Sequence, residues 1–497
     1  MPTLMPSDTA AALGPNAERC DSRSLLLDRF CDPAAKEKDR HQVFTRAMGK
    51  AAIRAKSAAW NSWLSKPKPD QVTLHAQLQS RLMVNMAGGV MENAGLCLDR
   101  FGLPYIPGSA VKGCARRAAL AALHEWCVAD GHPAHKPTGP ANPLAPCSEP
   151  FATPADMLAA IARVFGWCEL DWSARSDQSD FRWACATNEA TLKTAAEALA
   201  AHFRWPIEDR HRDTPWLSLP NFAGSVSFLP AYPVDLGKTG KVDGLPLDLP
   251  ALGKLELDVV TCHHRDYYAS DNPSAVATDT EEPVPVVFPA VAPGHVFTFA
   301  LVPLRGAKDL SSPSDPSATP DGKAPFCLLT LARAWFKTGL EVFGLGAKTN
   351  AGYGWFDASD GVQDAVRKAL DEIAQREREA REREQAEQQR KAEEEKRLRE
   401  KQEREAALAN LSGDERADKE IELLTDQQFD AKVRAFCKDP KRGGPTEEQK
   451  KAIVRALRGP RLAYWQAFKA KATKGDLAKV ADAIRQLSKQ MNLGKMP

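Results

Sequence analysis

The sequence predicts an α+β body, followed by a long charged helix and a small all-α module. Three observations lead there. Over roughly the first 360 residues, short apolar runs alternate with a few helical stretches and with loops rich in Gly and Pro. From Gly361 to Leu411 proline is absent, and Glu, Arg, Lys, Gln and Ala dominate. From Gln428 to Pro497, 17 basic residues stand against 6 acidic ones, a net charge of +11. The expected divisions are a leader and helix at 1–70, a body at 71–360, a charged helix at 361–412 and a basic module at 413–497. A chain of 497 residues has room for several such units.

In chain order, Gln42–Leu64 is rich in Ala and helix formers, and Pro67 and Pro69 stop it. Val72–Asn85 alternates apolar and polar residues and reads as a strand with one buried face. The pair Gly88-Gly89 opens a loop. Pro104 and Pro107 hold the next stretch extended, Ser109 is the expected N-cap, and Val111–Val128 has helical composition. Residues 131–150 hold six prolines and read as a surface loop, as do 230–254 and 305–325. GSVSFLPAYPV, KLELDVVTC and HVFTFALVPL read as strands. The proline-free segment predicts a helix of roughly 45 residues, about 65 Å long. Its apolar positions are few (Ile373, Ala374, Ala380, Ala386, Ala392, Leu398), so a coiled-coil seam would be weak. A solvated helix laced by i,i+4 Glu–Arg pairs is expected instead. Helical segments of the last module should break at Asp439–Pro445, Gly459-Pro460 and Lys474–Gly475.

The net charge of +2 argues against a uniformly basic nucleic-acid coat. The eleven cysteines form no CxxC pair, so neither a disulfide framework nor a paired-cysteine zinc site is expected, and a reducing cytoplasm fits. No cofactor is expected. No run of about 18 apolar residues marks a membrane span, and the N-terminus does not read as a secretory signal.

Three segments carry chemistry. GLGAKTNAGYGWF (344–356) packs four glycines with Lys348, Thr349 and Asn350 ahead of Tyr353 and Trp355. Such a loop suits phosphate contact through backbone N–H groups, with Lys348 adding charge; it equally suits a simple turn between a helix and a strand. A nucleotide-binding P-loop would need Gly at Val342 and Ala347, and neither is present. In PYIPGSAVKGCARR, Lys112 and Arg116 are four apart on one helical face with Arg117 beside them, near an N-terminus that favours phosphate. In CHHRDYY (262–268), His263 and His264 point to opposite faces if the segment is a strand, which disfavours a shared metal. A packing role, RNA contact and general-base chemistry remain open for them. In the basic module, Tyr464, Trp465 and Phe468 suit either a nucleic-acid contact or a domain docking an acidic partner.

The order of these pieces resembles the RAMP superfamily of CRISPR proteins. A strand with Arg81 is followed by PYIPGSAVKGCARRAAL, VFGW, AGSVSFLPAYPV, HHRDYY, PVPVVFPAVAPGHVFTFALVPL and the glycine-rich segment. In detail it resembles the sixth RAMP subunit of the Cmr (type III-B) effector complex, over roughly residues 72–357. The resemblance implies a ferredoxin-like (RRM-like) core that binds RNA and is not an enzyme. It implies a place near the 3′ end of the guide crRNA, capping the stack of backbone subunits in an antiviral complex. Target RNA would be cut by an aspartate of the neighbouring backbone subunit. The implied partners are crRNA, target RNA, the backbone RAMP subunit, the small helical subunit and the first RAMP subunit. By the same analogy Gly344, Gly346, Lys348, Thr349, Asn350, Gly352, Tyr353 and Gly354 lie along the guide backbone. Arg81, Lys112, Arg116, Arg117, His263 and His264 are the further RNA-contacting residues. The loop at 230–254 takes the part of the thumb-like hairpin that backbone-type RAMPs wedge into the guide–target duplex. The alternative is a RAMP-class endoribonuclease that processes precursor RNA with His263 or His264 as base. The resemblance is silent on the last 140 residues or so.

Overall fold

The computed structural model describes residues 7–14, 19–31, 37–50, 60, 63, 71–86, 96–128, 142–173, 179–304, 328–411 and 413–497. The expected loops at Gly88-Gly89 and 305–325 lie outside these residues. The chain divides into two compact units, Met1–Arg376 and Glu377–Pro497.

At the start of the first unit, helices α1 (Arg23–Asp28) and α2 (Glu37–Met48) pack through Leu26, Leu27, Val43 and Phe44. The α2 helix begins five residues ahead of the expected Gln42, and residues 51–59 are outside the described set. Arg23 is buried. Its guanidinium donates to the carbonyls of Gly102 and Gly253, the latter at 2.6 Å. Burial lowers its pKa to about 10.

An antiparallel sheet forms the centre. Strand β1 (Val72–Leu78) pairs with β8 (Val296–Pro303) on one side and with the short β9 (Phe356–Asp357) on the other. β4 (Val226–Phe228) and β5 (Tyr232–Pro233) both pair with β8. Along the main path the order is β4-β8-β1-β9. Two helices follow strands of this sheet in sequence: α3 (Gly108–Val128) comes after β1, and α7 (Leu328–Val342) comes after β8. Between α3 and β4 stand α4 (Pro154–Phe165), α5 (Asp180–Ala184) and α6 (Glu189–Phe203). The N-terminus of α4 is fixed by a reciprocal cap, Thr153 with Asp156, with Pro154 in its first turn. The two-residue strands β2 (Gly166–Trp167) and β3 (Phe222–Ala223) pair with each other. β6 (Leu255–Cys262) and β7 (Val284–Val291) form a separate two-stranded hairpin.

β1 is shorter than its sequence predicts, and both of its faces are covered. The strand ends at Leu78, and Leu82 instead exchanges hydrogen bonds with Val291 at the base of the β6–β7 hairpin. One face carries Leu74, Ala76, Leu78, Phe297, Phe299 and Leu301 into the main core with α3 and α7. The other carries His75, Gln77 and Thr298, polar yet buried. Alternation predicted a wet face here. The structure covers it with residues 234–249 and the first turns of helix α8 (Asp360–Ala409), through Val234, Leu236, Leu249, Val362 and Val366. The segment 230–254 therefore folds onto the sheet and is not a projecting hairpin.

Two glutamines satisfy the buried polar groups of this layer. Gln77 accepts from the Leu247 N–H at 2.9 Å and donates to the Leu247 carbonyl at 2.7 Å and the Gly294 carbonyl at 3.0 Å. Gln363, on α8, accepts from the His75 N–H at 2.9 Å and donates to the His75 carbonyl. Each primary amide thus pairs with both polar groups of one peptide residue, as a neighbouring strand would. His75 Nδ1 lies 2.8 Å from the Thr298 hydroxyl.

α8 spans 50 residues, and from about residue 375 until Leu408, which is half-buried, its described side chains are exposed. The expected i,i+4 pairs are present, among them Arg376–Glu372, Arg381–Glu377 and Lys391–Glu387. The second unit ends in five helices: α9 (Gly413–Glu422), α10 (Asp426–Arg434), α11 (Glu447–Arg458), α12 (Leu462–Lys471) and α13 (Asp476–Gln490). The three expected breaks fall between them. Their core holds Phe429, Val433, Ile453, Leu457, Trp465, Phe468 and Ile484. Among the described residues no helix is long and apolar enough to cross a membrane.

Two predictions follow from the buried polar layer. Gln363→Ala leaves the buried His75 N–H and carbonyl unpaired and should cost about 2–4 kcal/mol in denaturant unfolding. His75 and His295 are held at about 4, chiefly by burial, so both stay neutral in the fold. Their contribution is complete above the unfolded histidine pKa near 6.5 and is lost as pH falls toward 4. At pH 5 unfolding should be easier by about 2 kcal/mol for each histidine, and His75→Gln should remove its share of that slope.

Candidate nucleic-acid interface

The glycine-rich loop is a tightly constrained stretch of backbone. It leaves α7 at Val342 and returns as β9, and in between it lies against Arg81–Met83, the run that follows β1. Gly346 and Gly354 make the approach possible. Both have positive φ, 98° and 68°. A Cβ on Gly346 would stand 2.2 Å from the Met83 carbonyl oxygen, and one on Gly354 would stand 1.9 Å from that of Leu345. The contact is stitched by Ala347 N–H to the Met83 carbonyl at 2.8 Å and Gly354 N–H to the Arg81 carbonyl at 2.8 Å. Trp355 donates through its N–H to Ser80 Oγ and through its indole to the Thr349 carbonyl.

These bonds bear on the phosphate cradle expected from consecutive N–H groups. The N–H groups of Leu345, Ala347, Ala351, Gly352, Tyr353, Gly354 and Trp355 are bonded within the protein. The outward tip is therefore Lys348, Thr349 and Asn350. Among the described residues Lys348 has no carboxylate within ion-pair distance.

Arg81 sits at the base of the same loop. Its guanidinium forks between Glu256 at 3.2 Å and Asp258 at 3.1 Å on β6. The Tyr353 hydroxyl donates to Asp258 as well, and Lys254 lies 3.3 Å from Glu256. Burial works against the Asp258 charge, but Tyr353, the Val259 N–H and Arg81 together hold it below the usual carboxylate range. Burial, then the Asp258 bond, push the Tyr353 phenol up to about 12. Sequence reasoning missed Glu256 and Asp258. Their spacing of two on a strand was the available signal, because it puts both acids on one face.

On α3 the three cations have different fates. The helix starts at Gly108, one residue ahead of the expected Ser109 cap, with the Pro107 carbonyl accepting from Ala110 and Val111. Arg116 is taken up by two carboxylates, Asp171 at 2.7 Å and Asp180, and is not a free phosphate ligand. Lys112 is half-buried, and burial followed by Arg116 lowers its pKa. Arg117 is exposed, with its guanidinium 4.4 Å from the centre of the Phe343 ring. Phe343 immediately precedes the loop, so the structure brings Arg117 to one end of it and Arg81 with Tyr353 to the other.

His263 and His264 are not part of that cluster. They stand at the far end of β6, five and six residues past Asp258, about 16 Å or more along the strand at roughly 3.3 Å per residue. His263 is exposed. His264 Nδ1 lies 3.9 Å from Glu281. Next to them Tyr267 and Tyr268 are exposed and meet edge to face at 5.3 Å. In the second unit Trp465 and Phe468 are core residues, and Tyr464 donates to Asp430 at 2.6 Å. The first two are thus closed to base stacking, and any nucleic-acid contact through them is excluded by burial.

The close approach at Gly354 makes a test. Gly354→Ala should destabilise the first unit by more than about 2 kcal/mol, from left-handed backbone plus the clash with Leu345. Gly352→Ala, whose Cβ would meet nothing within 4 Å, should cost only the backbone share, about 1–2 kcal/mol. Thermal or denaturant unfolding of the two variants reads the difference.

A comparison with curated proteins finds no match. Among solved structures, a chain of the type III-B Cmr-beta complex bound to cognate target RNA is 15% identical. That alignment covers 66% of this chain and 77% of that one, with a TM-score of 0.30. Cmr6 from Pyrococcus furiosus is 20% identical over 58% of this chain and 98% of its own, with a TM-score of 0.25. The family model of the RAMP superfamily matches residues 86–357, from just past the Arg81–Met83 run through the glycine-rich loop to β9. More than half of the sequence lies in that match, and the chain belongs to the RAMP superfamily.

Proposed function

We propose that this chain is a non-catalytic RNA-binding subunit of a type III-B (Cmr) CRISPR effector. In this reading it caps the complex near the 3′ end of the crRNA and helps hold the guide–target duplex. Cleavage of the target falls to a neighbouring backbone subunit. The observation that carries the reading is the family match over 86–357, whose last stretch is the glycine-rich loop with Lys348 at its tip. The RAMP core is ferredoxin-like in this reading. In support, β1, α3, β4, β8, α7 and β9 follow one another as β-α-β-β-α-β in an antiparallel sheet of order β4-β8-β1-β9.

An RRM-like sheet takes bases on its open face. Here that face is covered by residues 234–249 and the root of α8. RNA would instead follow the edge, along Lys348, Thr349 and Asn350 and past Arg117. The protein would hold backbone and shape while guide–target pairing supplies sequence specificity. The implied partners remain crRNA, target RNA and the other Cmr subunits.

Binding of single-stranded guide-like RNA at several salt concentrations tests the reading. Lys348→Ala should weaken binding about three- to tenfold and flatten the salt dependence by about 0.7 in log–log slope, one phosphate contact's share. Unchanged affinity and slope would count against the loop. Precursor RNA should stay intact over long incubation without metal. Cleavage that disappears in His264→Ala would establish the endoribonuclease instead.

A further inference from the structure

The glycine-rich loop is continued by a groove that none of the roles above uses. Gly113, Arg117, Leu120 and His124 recur at spacings of four, three and four, so they line one face of α3. With Trp183 on α5 and Phe343 at the end of α7 they border a groove of about 610 Å³, a size that suits a small organic ligand.

Its walls are aromatic. Trp183 is 51% exposed. One of its faces is backed by His124, with ring centres 4.2 Å apart and planes within 10°. His124 is itself fixed, because its Nδ1 lies 2.6 Å from the Trp183 carbonyl. A carbonyl can only accept, so Nδ1 carries the proton, and in the neutral ring Nε2 is an acceptor. Opposite, Phe343 lies under the Arg117 guanidinium at 4.4 Å.

The formal charges of the groove balance, Arg116 and Arg117 against Asp180 and Glu125, but among the described residues Arg117 has no carboxylate within ion-pair distance. Asp180 is spent on Arg116, and Glu125 accepts from the Asn142 amide at 3.0 Å. Arg117 remains exposed at the mouth. The floor is kept open by Gly113. A glycine inside a helix costs about 1 kcal/mol relative to alanine, yet a Cβ at Gly113 would meet nothing within 4 Å. Packing does not call for glycine there.

We infer that this groove is a stacking site for one unpaired base of the bound RNA, with Trp183 and His124 as the platform and Arg117 holding the adjoining phosphate. The inference rests on the RNA-binding reading above. Continuity favours RNA over another occupant: Phe343 is the residue before Gly344, so a strand lying along the loop arrives at Arg117. An indole backed by a second ring suits any base, since every base has a flat face.

The full chain is tested with single-stranded guide-like RNA carrying 4-thiouridine at single positions. One position should crosslink to Trp183 or its neighbours. Trp183→Ala should lower affinity about five- to a hundredfold with an unchanged salt slope, because stacking releases no counterions. Trp183→Phe should recover most of the loss. Gly113→Leu, which fills the groove at a site with room for it, should cause a similar loss without lowering the unfolding midpoint. An abasic nucleotide at the crosslinked position should match the loss and not add to that of Trp183→Ala. If Lys348→Ala weakens binding while both groove variants bind as before, the stacking site is wrong and the RNA-binding reading stands. If none of the variants changes binding, the RNA-binding reading fails first. If Trp183→Ala keeps RNA affinity but loses partner subunits on reconstitution, the groove holds a protein side chain and the inference is overturned.

Discussion

Two buried glutamine amides set what the sheet of this protein can do. Gln77 and Gln363 each satisfy the N–H and carbonyl of one residue: Gln77 ties the covering segment at Leu247 to the polar face of the sheet, and Gln363 closes the edge of β1 at His75. A buried peptide group without a partner is costly, so residues 234–249 and the first turns of α8 could close over this face only because the amides supply those partners. Once it is closed, the surface an RRM-like sheet would offer to bases is gone. In the proposed reading, contact with a polynucleotide moves to the edge, where the glycine-rich loop meets Arg81–Met83.

At that edge shape precedes charge. Glycines let the loop lie directly on a neighbouring backbone, and the bonds that hold it there consume most of its N–H groups. What is left for an anion is side-chain chemistry at the tip and at the two ends. Arg81 is balanced by Glu256 and Asp258, Arg116 by Asp171 and Asp180. Lys348 and Arg117 are the more available cations, one at the tip of the loop and the other at the end where it leaves α7. Pairing Arg81 and Arg116 with acids while Lys348 and Arg117 keep no carboxylate partner among the described residues fits a body whose composition is close to neutral.

The second unit follows different physics. Its five terminal helices have a packed core of their own, built around Trp465 and Phe429. Several cations on its helices are paired within the unit, such as Arg455 with Asp418 and Arg461 with Asp426. With Trp465 and Phe468 inward, what the unit offers outward is an excess of positive charge, whose attraction for any anionic surface salt would weaken.

Much of this was legible in the sequence because it is local. The 50-residue helix, its i,i+4 pairs and the breaks of the last module follow from the absence of proline and the placement of glycine. The strands ending at Phe228, Cys262 and Pro303 follow from their β-branched and aromatic runs, and the order of the motifs was enough to indicate the family. What only the tertiary structure decided is which polar residues are spent. Alternation in VTLHAQL foretold one wet face, but residues 234–249 and the root of α8, far along the chain, bury it. Spacing put Lys112 and Arg116 together on one side of α3, but acids from 171 and 180 claim Arg116. Tyr464, Trp465 and Phe468 could equally have been a surface or a core until their helix was packed. A side chain's partner is fixed by contacts distant in sequence, and no local pattern records them.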